Sequence, residues 1–270
     1  MTTTTSPMQR RVLAFARRAW LQQGMTAVWL AVLVGAALGA LVFLGNGSVT
    51  TFANLPEMVL LQTDGIVTVR DDAGRLLPMT TYLLTMTPAL LGTLVAIVAT
   101  LTLPGVVADD ISGGGIEVLL AGPIPRRRLF TAYLGAALAM TAVVWLTAMG
   151  VFGAVAVVTA AIVRASVTLS LGYGVALVVL PLSMGIWSGT ATLFGALLHP
   201  RGLDSKAGMN GGPIRLVALL PALVVIPSVL FLREWVLPAL AAVLVVTLLA
   251  SLALMQFTAR GFRSTQVLSS

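Results

Sequence analysis

The chain has 270 residues, 58% of them hydrophobic and 9% charged, with a mean hydropathy of +1.02 and a formal net charge of +7. Soluble domains carry about 25% charged residues, so the polar shell of a globule this size cannot be assembled, and a cytosolic enzyme, a disordered chain and a coiled coil are excluded. What remains is an all-α integral membrane protein, without cysteine and therefore without disulfides, thiolate metal sites or cysteine nucleophiles.

The chain opens on a basic segment. Wound as a helix at about 100° per residue, residues 10–23 gather Arg10, Arg11, Arg17 and Arg18 into one stripe. Val12, Phe15, Ala16, Ala19 and Trp20 fall on the opposite side. This pattern predicts an amphipathic helix lying in the inner membrane interface, with its arginines toward anionic headgroups. The alternative is a flanking basic segment with no defined helix. The apolar run that follows is too long for a signal-peptide core and has no clear small-residue cleavage site, so cleavage is not expected.

The uncharged stretches are residues 19–56, 76–108, 129–163, 165–200, 216–232 and 235–259. A helix crossing the hydrocarbon needs roughly 20 residues, and each stretch is long enough. Six spans follow, near 25–45, 80–104, 129–152, 172–197, 214–232 and 235–257. The runs are continuously apolar, unlike the alternating strands of a membrane barrel. With the N-terminus inside, 12 of the 16 Lys and Arg residues fall in inner segments and 4 in outer ones. That bias sets both termini in the cytoplasm. The arginines flank spans, so the positive charge is assigned to the membrane surface and not to nucleic acid. One transmembrane domain over 1–270 is expected, with a cytoplasmic or interfacial N-terminus at 1–24, an external loop at 46–79 and a cytoplasmic loop at 105–128.

The external loop contains Asp64-Gly65, the alternating run Ile66-Val67-Thr68-Val69-Arg70, then Asp71-Asp72-Ala73-Gly74-Arg75. It reads as a strand, a turn and a possible return strand. Gly35 with Gly39, and Gly185 with Gly189, form two GxxxG pairs suited to close helix packing, within the chain or between copies. Pro88, Pro181, Pro221, Pro227 and Pro238 lie in or beside spans, where kinks are tolerated. No Asp, Glu, Lys or Arg lies well inside a span, and the single histidine, His199, lies at the inner end of the fourth. A proton-driven carrier needs ionisable groups in the membrane. Intramembrane hydrolases and metalloenzymes need paired acids, a serine with a histidine, or a histidine-rich motif. His199 is read as a headgroup-level residue, and the scattered methionines as packing residues. No metal is expected.

The loop after the second span runs from Pro104 to Arg128 as PGVVADDISGGGIEVLLAGPIPRRR. It carries two acids, three glycines, a short apolar stretch with one carboxylate, a proline turn and an arginine cluster. Ile116, Leu119 and Leu120 share one face of a short helix, with Glu117 on another side. Such a helix, parallel to the membrane, suits the groove of a cytoplasmic partner. Pro123 and Pro125 stop it.

This stretch resembles the coupling segment in membrane subunits of ABC transporters of the type 2 export-permease family. Their pattern is roughly an acid, a few residues, Gly-Thr-Leu-Glu, one residue, Leu-Leu, two residues, Pro and a small or basic segment opening the third helix. Asp110 takes the acid position, Gly114 the Gly, Ile116 the Leu and Glu117 the Glu. Leu119 and Leu120 match the Leu pair, Pro123 the Pro and Arg126 the basic position. Gly115 stands where the family has Thr. The resemblance implies a permease subunit of a prokaryotic plasma-membrane exporter. It implies a second permease subunit, same or homologous, and two copies of a separate ATP-binding subunit that holds ATP and Mg. The chain has no GxxxxGK[ST] phosphate loop, so no ATPase site and no cofactor of its own is expected. Two other readings stand beside this one. One is a non-transporting scaffold of the same fold that recruits an ATPase. The other is an ion-driven secondary carrier.

Overall fold

The computed structural model describes residues 14, 17, 20–44, 66–112, 126–198, 213–231 and 235–261. A five-residue π-helical turn, Trp20–Gly24, leads into α1, Met25–Leu44. A short strand β1, Val67–Arg70, precedes α2, Pro78–Ser112. Helix α3 is Arg126–Val163, strand β2 is Ser166–Leu169 and α4 is Leu171–Leu198. Helices α5, Pro213–Phe231, and α6, Val236–Gly261, follow.

Among the described residues, five stretches are long and apolar enough to cross a bilayer: Met25–Leu44, Pro78–Thr100, Thr131–Val163, Leu171–Gly195 and Leu237–Gln256. The chain is therefore membrane-embedded, as its composition requires. In α5 the apolar stretch is shorter, Leu216–Ser228.

Pairs of touching residues fix the direction of each helix. Gly35 meets Ala148 and Gly39 meets Phe152 and Val155, so α1 and α3 run parallel. Tyr173 bonds to Leu84, and Gly185 packs on Val95, so α2 and α4 also run parallel. Gly172 touches Leu237, and Ser183 touches Thr247, which makes α6 parallel to α4. Helix α5 opposes α4, because Gly195 meets Ile214 while Trp187 meets Val217. The odd helices thus run one way and the even helices the other. One end of the bundle carries the α2–α3 and α4–α5 connections. The other carries β1, β2 and the α5–α6 connection.

The two GxxxG pairs pack within the chain. A Cβ on Gly35 would lie 2.8 Å from the carbonyl oxygen of Ala148, and one on Gly39 would lie 2.9 Å from that of Phe152. On α1 the buried residues Ala27, Ala31, Gly35, Gly39 and Phe43 repeat every four positions and form the seam with α3. On α4, a Cβ at Gly185 would meet Thr141 and Val95, each at 2.7 Å. The core lies chiefly between α2 and α4, around Leu84, Leu91, Tyr173, Leu180 and Met184.

The expected return strand is a single bridge between Arg70 and Leu76. The main partner of β1 is β2, antiparallel, with Val67 opposite Leu169 and Arg70 opposite Ser166. Val67 and Val69 plunge into the core, while Thr68 and Arg70 face outward. Thr81 on α2 fastens this sheet: its hydroxyl accepts the Val69 N–H at 3.2 Å and donates to Leu77 at 2.9 Å. Arg164 ends α3 with φ of 53°, the left-handed conformation of a helix C-cap. Helix α2 continues through Pro104 to Ser112, so residues 105–112, expected in a loop, are helical. Helix α3 likewise begins at Arg126 and runs to Val163, beyond the expected 129–152.

Candidate functional site

Two regions bear on function: the end of the bundle that carries the α2–α3 connection, and a cleft on its flank. At that end, Asp110 lies in the last turn of α2, and Arg126 is the first residue of α3. These two residues bracket the segment singled out in the sequence. Gly114, Ile116, Glu117, Leu119, Leu120 and Pro123 lie outside the described residues. Of the N-terminal stripe, Arg17 is helical and exposed, and Trp20 opens the π-helical turn at 42% exposure. Arg10, Arg11, Arg18 and His199 lie outside the described residues.

The cleft is organised by prolines. Pro221 inside α5 has no N–H, so the Val217 carbonyl four residues earlier loses its helical donor. In lipid such an orphan is costly, and a neighbouring helix must satisfy it. Helix α4 does so with Trp187, and the adjacent Ser188 bonds the next carbonyl along α5. Trp187 donates its indole N–H to the Val217 carbonyl at 3.0 Å, and Ser188 donates its hydroxyl to the Ala218 carbonyl at 2.7 Å. Near Pro181 in α4, Trp145 of α3 likewise donates its indole N–H to a backbone carbonyl, that of Val178, at 3.0 Å, one residue beyond the Leu177 carbonyl that the proline deprives. After Pro227, Ser228 serves its own helix by donating to Val224 at 2.7 Å.

Beside Pro221, α4, α5 and α6 leave a cavity of about 420 Å³. Trp187, Pro221, Val243 and Thr247 line it. Thr247 turns its hydroxyl to Val243 at 2.7 Å and to Ser183 at 3.3 Å. The polar atoms of Trp187 and Thr247 are thus spent on protein partners. Among the described residues, no group of three or more His, Asp or Glu could hold a metal.

The opposite end of the bundle is polar. The Asp71 carboxylate accepts the Arg75 backbone N–H at 2.8 Å and the Arg75 side-chain Nε at 3.0 Å. The backbone N–H of Arg75, more than its side chain, holds the Asp71 carboxyl below its ordinary 3.8. Arg164 reaches Asp72 at 3.6 Å across the two connections. Thr68 and Thr168 share a hydroxyl hydrogen bond of 2.9 Å between the strands.

Sequence reading missed the partners of these features. The proline positions were legible, but the indole that serves the Val217 carbonyl orphaned by Pro221 lies 30 residues away on another helix. Strand β2 left a faint signal, the alternation Ser166-Val167-Thr168-Leu169. It was absorbed into a long uncharged stretch. In comparisons with known proteins, no family model, no curated protein and no solved structure matches this chain.

Proposed function

We propose that this chain is the permease subunit of an ATP-driven exporter of the ABC type 2 class. In this reading six helices cross the plasma membrane of a prokaryote, both termini are cytoplasmic, and two permease subunits pair with two separate ATP-binding subunits. The observation that carries the reading is the run from Asp110 to Pro123 followed by Arg126, which resembles the family's coupling segment, with Gly115 in place of its Thr and Ile116 in place of its Leu. The alternating direction of the six helices supports it, because that end of the bundle also receives the N-terminal segment. The arginine-rich flanks support a cytoplasmic assignment for the same end. The five candidate spans contain no Asp, Glu, Lys or Arg. This weighs against an ion-coupled carrier, which needs such groups.

In mechanism, ATP closes the motor subunits, and the 110–123 segment transmits that motion to α2 and α3. Glu117, Leu119 and Leu120 seat in the motor, while Gly114 and Pro123 shape the element. Helix α2 is suited to carry the motion, since it is continuous from Pro78 to Ser112 and packs along α4. The test is Glu117→Arg, read by co-purification of the ATP-binding subunit and by its ATP turnover. Loss of both with the chain still folded is the expected result. Unchanged association and unchanged coupled export reject the role.

A further inference from the structure

We propose that the cavity beside Pro221 is a binding site for one acyl chain of a bilayer lipid. Its chemistry points there. About 420 Å³ is the size of a small-ligand site, which spans roughly 300–1,000 Å³. Ordinary ligand sites place a few polar groups to fix orientation. Here the indole N–H of Trp187, the carbonyl of Val217 and the hydroxyl of Thr247 are all consumed by partners within the protein. An occupant therefore finds no hydrogen bond, and only a hydrocarbon loses nothing by entering.

Depth gives the same answer. Val217 lies four residues inside the start of α5, and Ala242 six residues inside the start of α6. At 1.5 Å per residue these are about 6 Å and 9 Å from opposite ends of the bundle. Its α5 lining, Val217 to Val224, runs along the apolar stretch Leu216–Ser228, and its α6 lining, Ala242 to Ala250, lies within Leu237–Gln256, stretches that suit the level of acyl chains. Its rim residues Leu220, Val224 and Val246 are exposed on the flank, so it opens sideways, where lipid tails are the solvent. A second protein copy is the rival occupant, and it would cross-link to this chain in the test below. The site stands whether or not the chain exports anything, since no motor subunit enters the argument.

The test uses the full chain alone, in phosphatidylcholine vesicles doped with a phospholipid that carries a mid-chain alkyl diazirine. Labelled positions are mapped by mass spectrometry. The exposed stripe Trp29, Leu33 and Leu41 of α1 is the internal reference. Labelling at 217–224 and 242–250 should exceed the α1 stripe severalfold and saturate with probe. It should fall to the α1 level when Ala242→Phe or Ala250→Phe fills the site. If neither variant folds, excess unlabelled palmitate should remove the surplus from the native chain. Labelling equal to α1, a surplus that survives filling or competition, or protection accompanied by cross-links between two copies overturns the proposal.

Discussion

Trp187 donates its indole N–H to the carbonyl oxygen of Val217 at 3.0 Å, and Val217 is the residue whose helical donor is missing because Pro221 stands four positions on. The proline and its clasp are one unit. Without the indole, α5 would present a bare carbonyl to lipid. Trp187→Phe should lower stability by about 1 kcal/mol, within the range measured for interhelical hydrogen bonds in membranes. In a Pro221→Ala background the restored N–H serves Val217, so the same substitution should cost less than half as much. Unfolding of the reconstituted protein, measured as a double-mutant cycle, checks this. Equal costs in the two backgrounds would contradict the clasp.

The seam between α1 and α3 depends on missing side chains. A Cβ at Gly35 would lie 2.8 Å from a backbone carbonyl oxygen, which has no rotamer with which to move aside. Gly35→Ala should therefore destabilise by about 1–3 kcal/mol. Gly150 on α3 has nothing within 4 Å of the same added atom. Gly150→Ala should be neutral or stabilising by up to about 1 kcal/mol. Thermal unfolding of the two variants side by side makes the comparison.

The strand pairing is open to a direct chemical check because the chain has 0 cysteines. Thr68 and Thr168 are directly opposite in the β1–β2 register, with their hydroxyls 2.9 Å apart. The double variant Thr68→Cys, Thr168→Cys should form an intramolecular disulfide under mild oxidation, seen as a gel shift reversed by reductant. A control pairing Thr68→Cys with Thr159→Cys should not.

The turn at 71–75 carries a pH dependence whose sign is fixed. The Asp71 carboxyl sits below its ordinary 3.8, chiefly because the charged form accepts the Arg75 N–H. A depressed carboxyl contributes order above the ordinary value and loses it as pH falls through the folded-state value. Amide exchange at Arg75 should thus be slowed at neutral pH and lose that protection below 3.8. Asp71→Asn should abolish the step. The carboxylate is partly exposed and bonds only within the turn, so the effect is local to it.

Much of the architecture was legible because a membrane helix announces itself by length and lack of charge. The starts of α1, α4, α5 and α6 fall within two residues of expectation. What misled was punctuation. Pro104 and Gly105 suggested the end of the second helix, yet one missing hydrogen bond did not outweigh continuation on either side, and α2 runs to Ser112. Strand β2 was hidden because Ser166 to Leu169 is as uncharged as the helices beside it. The cleft was illegible for another reason. It is made by Trp187, Pro221 and Thr247 from three helices, and neither period nor spacing in one dimension links them.

The central claim, that the segment around Glu117 is gripped by a separate ATP-binding subunit, is tested most directly by cross-linking. Glu117→Cys would be the sole cysteine in the chain. Treated with a short bismaleimide in membranes holding both proteins, it should give an adduct joining this chain to the ATP-binding subunit. ATP should change the yield. Labelling of that cysteine by an impermeant maleimide from the outer face, or absence of any adduct while export proceeds normally, would contradict the account.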